Sequence, residues 1–184
     1  EELGMTNPHL SRITDYRDVE SLNMFAELRA NGREPDELLA ILASKSRDNG
    51  RTPMQWDASH NAGFSEGEPW IGVCDNYETV NARAALDDPD SVFYTYQSLI
   101  SLRKTLPVLT WGDYEDLLPE HPSLWCYRRQ WQGQTLVVVA NLSHTPQEWE
   151  TGVLSGQPQV LMSNYPTPQT TSLRPFEAVW WLQQ

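Results

Sequence analysis

Few cysteines, few basic residues and no long apolar run characterise this 184-residue chain first by what they exclude. Cys74 and Cys126 are too few for a disulfide framework and lack the spacing of a metal site, so a reducing, cytoplasmic setting is expected. Lys and Arg total 13 against 25 Asp and Glu, a net charge of -12. The imbalance holds on both sides of Pro107, with 18 acidic and 10 basic residues before it and 7 and 3 from it onward. Binding to nucleic acid needs a basic patch that displaces counterions from phosphates, so no nucleic-acid partner is expected. Anionic membrane surfaces are disfavoured for the same reason, and no stretch approaches the roughly 20 apolar residues of a membrane span. The opening Glu1-Glu2-Leu3-Gly4-Met5 has neither an initiating Met nor the charged-then-apolar pattern of a signal peptide. The sequence therefore reads as though it starts inside a longer protein. It is too short for a complete TIM barrel, which needs roughly 200 residues at least.

What is present divides in two. Val19, Leu22, Phe25 and Ala26 recur at helical spacing within Thr14 to Ala30, and Asn31-Gly32 supplies a stop. A second helix is predicted from Pro35 to Ser46, with Pro35, Asp36 and Glu37 in its first turn and Leu38, Ile41 and Leu42 on one face. Residues 47 to 87 form a long loop punctuated by Pro and Gly, yet they carry Met54, Trp56, Phe64, Trp70, Ile71 and Tyr77. Such a loop is ordered and packed, and loops of that length in compact domains are usually functional. A third helix is expected to open with Asp88 as N-cap and Pro89 at its first position. Its stripe is Val92, Tyr96, Leu99, Ile100 and Arg103, and Pro107 is expected to end it. From there the period becomes strand-like. Leu124 to Trp131 and Thr135 to Asn141 flank Gln132-Gly133 as a hairpin, with further strands around Asp113 to Leu118, Gln147 to Thr151, Gln159 to Met162 and Ala178 to Leu182. The pattern implies an antiparallel β-sandwich, and the domains are placed at 1–106 and 107–184.

The densest polar cluster is Ser46 to Asp57, where two arginines, acids, Asn, Gln and Trp are the types that bind sugars through planar polar groups and an aromatic face. The same types also make a structural loop of ion pairs, and composition alone favours that reading. Asp15, Asp18 and Glu20 could serve glycosidic cleavage, which needs two carboxyl groups across the scissile bond. At the start of a helix the dipole explains them better, and on the residues alone that reading is preferred. His9, His60, His121 and His144 lie scattered on loops, without a metal-ligand pattern. Trp111, Trp125, Trp131, Trp149, Trp180 and Trp181 could form a sugar platform, but aromatic strand residues more often fill a sandwich core.

Several segments carry a specific likeness. Glu1 to Asn7, Asp15-Tyr16-Arg17-Asp18-Val19-Glu20-Ser21-Leu22-Asn23, Arg47-Asp48-Asn49-Gly50-Arg51-Thr52-Pro53-Met54-Gln55-Trp56-Asp57, Ala62-Gly63-Phe64, Pro69-Trp70-Ile71, Asp90 to Tyr94, Leu102-Arg103-Lys104 and Leu173 to Ala178 resemble the oligo-1,6-glucosidase-like branch of the α-amylase superfamily. The resemblance spans essentially the whole chain. It implies an α+β arrangement, the end of a TIM barrel (its last βα unit with a long loop) followed by an antiparallel β-sandwich domain. The implied parent is a retaining α-glucosidase. Asn7-Pro8-His9, Leu124 to Arg129 and Ala178 to Leu182 favour trehalose 6-phosphate, split into glucose and glucose 6-phosphate, as its small-molecule disaccharide substrate. Oligo-1,6-glucosidase activity, or a noncatalytic glucan- or partner-binding sandwich, are the alternatives. The three catalytic carboxylates of the family precede the motif with which this chain begins, so no catalytic residue is expected here and the isolated chain is expected to be inactive. By the same resemblance, Glu20 and Arg47 face each other near the leaving-group subsite and bind substrate, while Arg51, Gln55 and Trp56 brace the loop. His9 and Arg12 are candidates for the phosphate. No metal and no cofactor are expected. Without the rest of a barrel to pack against, the first half is expected to be less stable than the sandwich.

Overall fold

The computed structural model describes residues 3–149 and 151–183 and resolves two compact units, one ending at Ser98 and the other beginning at Leu99. Glu1, Glu2 and Glu150, on which parts of the opening motif and of the expected strand to Thr151 fall, lie outside the described residues.

The first unit begins with a 3-10 turn at Ile13–Asp15 and two helices, α1 (Val19–Ala30) and α2 (Pro35–Lys45). Helix α1 starts later than its apolar spacing suggests because Asp18 takes extended backbone and caps it, its carboxylate accepting from the Ser21 N–H. Pro35 starts α2, which turns Leu38 and Leu42 into the unit. The long loop is ordered by short pieces, 3-10 turns at Arg47–Gly50 and His60–Gly63 and helix α3 (Ala82–Asp87). Ile71, Cys74, Ala62 and Tyr16 are buried with the two leucines. Among the described residues no strand precedes Asp113, so the first unit is the loop and helices of a βα unit.

Helix α4 (Val92–Thr105) begins four residues after Asp88. The Asp88 carboxylate instead accepts from the Asp90 N–H, and the Ser91 N–H donates to the Asp88 carbonyl, so Asp88-Pro89 forms a turn before the helix. Its end falls where Pro107 places it, at Thr105. Leu106 is extended, as steric contact with a following proline demands, and Pro107 opens the short helix α5 (Pro107–Trp111). Helix α4 buries none of its residues.

The second unit holds β1 (Asp113–Asp116), β2 (Leu124–Trp131), β3 (Gln134–Asn141), β4 (Gln147–Glu148), β5 (Gln159–Ser163), β6 (Ser172–Leu173) and β7 (Ala178–Gln183). Five strands pair antiparallel in the order β1-β2-β3-β7-β5, and β4 pairs with β6 as a separate ribbon. Gln132 and Gly133 both take positive φ, 45° and 87°, as the tight turn between β2 and β3 requires. Strand β3 is central and buried on both faces, which explains its unbroken Val137-Val138-Val139 run. On one face Val137 and Val139 pack with Leu124, Cys126, Val179 and Trp181 against Trp149 and Leu173. On the other, Leu136, Val138 and Leu182 pack against Val108 and Leu109 of α5. The strand pair containing β6 was not legible, since two residues leave no periodicity to read.

Both cysteines are buried free thiols, and burial pushes Cys126 up to about 11. At pH 8 only about one Cys126 in a thousand would be thiolate, the reactive form. A disulfide reagent such as Ellman's should therefore label the native chain slowly and release two equivalents once it is denatured. A fast stoichiometric burst from the native chain would contradict the burial.

Candidate functional site

The candidate site lies in the first unit, where the start of α1 meets the 3-10 turn at Arg47–Gly50. Its visible feature is an ion pair: Arg47 Nη2 stands 2.8 Å from Glu20 Oε2, with side chains 65% and 72% exposed. Residues 27 positions apart are far beyond any helical pairing, so the fold alone brings them together.

Beneath this pair is a buried polar layer. Asp48, fully buried, accepts through Oδ2 from the Arg17 N–H at 2.7 Å and the Asp18 N–H at 2.9 Å. Asp18 accepts through Oδ2 from the Ser21 N–H at 3.0 Å and the Ser21 hydroxyl at 2.9 Å. Those bonds hold the Asp18 carboxyl below the usual carboxylate range, the hydroxyl contributing most and the backbone N–H next. Ser21 Oγ and Ser46 Oγ are 2.9 Å apart, and Ser46 Oγ accepts the Asp48 N–H. Arg51 spans the two acids, its Nη1 lying 3.3 Å from Asp18 Oδ1 and 3.6 Å from Asp48 Oδ1. The Arg17 guanidinium ties the layer to the loop by donating to the Trp70 and Thr14 carbonyls.

The loop residues divide in their roles. Gln55 is fully buried and its side-chain amide donates to the Val80 carbonyl and to Asn76 Oδ1, while its backbone carbonyl accepts from the Ala82 N–H. Trp56 braces only through its backbone, exchanging bonds with Ala62 and Arg83. Its indole is 53% exposed.

His9 and Arg12 have separate carboxylate partners. His9 Nδ1 is 2.9 Å from Asp75 Oδ2, and that hydrogen bond draws the Asp75 carboxyl downward. Arg12 holds Asp15 in a two-point contact at 2.8 and 3.1 Å, which lowers Asp15 and raises Arg12. Each basic group thus already has a carboxylate partner.

The six tryptophans of the second half do not make one platform. Trp149 and Trp181 are core, Trp131 and Trp180 pack half-buried against the second core, and Trp111 and Trp125 are exposed. Trp125 continues into Tyr127 and Tyr114, ring centroids 5.2 and 5.3 Å apart. A cavity of 660 Å³ beside Leu124, Cys126 and Trp149 is an opening of the sandwich core. His121 at its edge is a structural latch, Nδ1 accepting from the Ser123 and Leu124 N–H groups. Among the described residues no three His, Cys, Asp or Glu side chains gather as a metal site, and no helix is long and apolar enough to cross a membrane.

Asp48 and Asp75 were not singled out by sequence reasoning. Each sits in a run of acids and amides whose members look alike until the fold buries Asp48 and sets the exposed Asp75 against His9. The Ser46-x-Asp48 spacing, in which a hydroxyl caps the turn that follows, was the available signal.

This combination, a βα-loop charge pair ahead of an antiparallel sandwich, agrees with what comparison with known proteins gives. The chain belongs to the alpha-amylase family: residues 1–112 match the family model described as Alpha amylase, catalytic domain, and residues 114–180 match Maltogenic Amylase, C-terminal domain. Its fold is therefore the end of a TIM-barrel catalytic domain followed by a β-sandwich. Among relatives, it is 66% identical to the trehalose-6-phosphate hydrolase of Escherichia coli over 100% of this chain and 34% of that protein. It is 43% identical to an oligo-1,6-glucosidase of Halalkalibacterium halodurans over 97% of this chain and 33% of that protein. The crystal structure of Bacillus licheniformis trehalose-6-phosphate hydrolase superposes with a TM-score of 0.92 at 41% identity, covering 98% of this chain and 34% of that one. The chain thus spans about a third of the length of the relatives it matches.

Proposed function

We propose that this chain completes the catalytic barrel of a cytoplasmic, retaining α-glucosidase and carries its C-terminal sandwich, the intact enzyme hydrolysing trehalose 6-phosphate to glucose and glucose 6-phosphate. The observation that carries the reading is the 66% identity over the whole chain to a trehalose-6-phosphate hydrolase. Retaining cleavage takes a carboxylate nucleophile and a carboxylic acid about 5 Å apart, with a glycosyl-enzyme between the two steps. In this reading those groups belong to the portion of the relatives that the chain does not span, and the domains divide at 1–106 and 107–184. Glu20 and Arg47 border the leaving-group end, where an exposed carboxylate and guanidinium can accept from and donate to sugar hydroxyls. His9 and Arg12 meet the phosphate, which requires each to loosen from Asp75 or Asp15. The partner is the small disaccharide, with neither nucleic acid nor membrane involved.

The test compares two proteins. The 184-residue chain alone should show no turnover of 4-nitrophenyl α-glucoside, whereas the full-length protein that contains it should hydrolyse trehalose 6-phosphate in strong preference to isomaltose. Arg47→Ala in the latter should lower kcat/KM about tenfold or more, chiefly through KM, the scale of a lost hydrogen bond to a charged group. Turnover by the chain alone would overturn the catalytic assignment. A preference for isomaltose would favour the oligo-1,6-glucosidase reading.

A further inference from the structure

We infer that Asp48 is a positioning residue whose grip on the Arg17 and Asp18 amides sets Glu20 opposite Arg47. An ion pair between side chains 65% and 72% exposed gains little, because water screens both charges. That gain is no more than the entropy lost in ordering two long side chains, so the pair does not fix its own geometry. The order has to come from the backbones beneath it, and Asp48 is where they meet. Its own amide follows Arg47 directly. Its Oδ2 holds the two N–H groups that immediately precede α1, at 2.7 and 2.9 Å. Glu20 stands two residues further on, on a helix whose cap, Asp18, is one of the residues gripped. One fully buried carboxylate therefore spans the gap between the neighbour of Arg47 and the helix that carries Glu20.

The Asp18 N–H is buried and the Arg17 N–H partly so, and such groups left without an acceptor are expensive, so this registration is stiff where the surface pair is soft. Arg51, 3.3 Å from Asp18 and 3.6 Å from Asp48, fixes both carboxylates from the far side. Asp48 touches no sugar in this picture. It acts through Glu20 and Arg47, and only its kinetic consequence rests on the function proposed above.

The experiment uses the 184-residue chain with 15N-labelled arginine and reads rotation of the Arg47 guanidinium by NMR, with Glu20→Gln as the reference for a broken pair. Asp48→Ala should speed that rotation at least threefold, to the Glu20→Gln rate, and strip hydrogen-exchange protection from the Arg17 and Asp18 amides. Asp48→Ser, which leaves room for a water at those amides, serves if Asp48→Ala does not fold. Asp48→Asn keeps an oxygen that can accept both amides and should hold the rotation near its original rate. The inference is overturned if the Ala or Ser variant leaves Arg47 as hindered as before, or if Asp48→Asn frees it equally. In the full-length protein the same Ala or Ser variant should raise KM for trehalose 6-phosphate about tenfold with a smaller change in kcat, restored by Asn. A full-length protein inactive on trehalose 6-phosphate would sink the proposed function while leaving the NMR result to decide on Asp48.

Discussion

Glu177→Ala should destabilise the second unit by about 3 kcal/mol and lower its unfolding midpoint by roughly 10–20 °C, read by calorimetry or by near-ultraviolet signal from Trp181 and Trp149. Glu177 is 1% exposed. It accepts from Arg174 three times: Oε2 from the backbone N–H at 2.8 Å and from Nε at 2.9 Å, and Oε1 from Nη2 at 2.8 Å. Two-point contact of this kind is the strong form of the pairing. The guanidinium also donates to the Pro166 carbonyl and lies 4.3 Å over the Tyr165 ring. The Glu177 carbonyl accepts from the Asn141 N–H, so the corner before β7 is tied to the end of β3. Truncation would leave the Arg174 N–H buried without its acceptor. The guanidinium, being partly exposed, would recover some hydration, which keeps the cost below that of a fully buried pair.

The same contact has a pH signature. Hydrogen bonding from Arg174 holds the Glu177 carboxyl below its ordinary value, the side-chain bond contributing most. A group whose folded value is depressed stabilises fully above its unfolded value, near 4.3, and loses that contribution as pH falls through the folded value. The original chain should therefore lose stability steeply below about pH 4, and Glu177→Ala should show a shallower acid limb. A change under about 0.5 kcal/mol at pH 7, or parallel acid limbs, would show that this corner is held by something else.

How far the sequence foretold this molecule depends on how local each signal is. The hairpin between β2 and β3 was readable to within a residue because β-branched runs and Gln132-Gly133 report on neighbours in the chain. Helix α2 was readable from Pro35 and the Leu38/Leu42 face. The end of α4 was readable from Pro107, but its start was not, since Asp88-Pro89 can either begin a helix or make a turn before one, and in the fold Ser91 donates its hydroxyl to the Ala85 carbonyl. The meeting of Glu20 with Arg47 came from family likeness, and nothing in the spacing of the residues implied it. Beneath them the buried layer was illegible for a plainer reason. Asp15, Asp18, Glu20 and Asp48 are alike as letters, and only the fold makes Asp18 a cap, Asp15 and Glu20 partners of arginines and Asp48 a buried anchor. The exposure of Trp125 and Trp56 was likewise hidden, because an aromatic residue reads as core whether or not it finds one.

Gly112→Ala should cost about 2–3 kcal/mol in the second unit, although nothing in its backbone conformation demands glycine. Its φ of -65° suits any residue. The reason is space. A Cβ there would lie 2.5 Å from the Val108 carbonyl oxygen, 3.2 Å from Arg129 Cβ and 3.2 Å from the Gln130 carbonyl oxygen. Two of the three are backbone atoms, in α5 and in β2, so no side-chain rotation relieves the contact. Separating them would also pull on the Gly112 N–H bond to the Val108 carbonyl and on the Arg129 guanidinium, which donates to the Gly112 carbonyl at 2.6 and 3.2 Å. Overpacking between fixed elements typically costs about 1–3 kcal/mol. Gly152, with nothing within 4 Å of its added Cβ, is the control, and Gly152→Ala should change stability by less than about 0.5 kcal/mol. Gly133 separates the two causes: its surroundings are equally open but its φ is +87°, so Gly133→Ala should cost about 1 kcal/mol from conformation alone. Denaturant midpoints falling in the order Gly152→Ala, Gly133→Ala, Gly112→Ala would place the tightest joint of the second unit where α5 meets β2. An equal loss at Gly112 and Gly133 would mean that α5 yields, and that the contact between helix and sheet is looser than its distances imply.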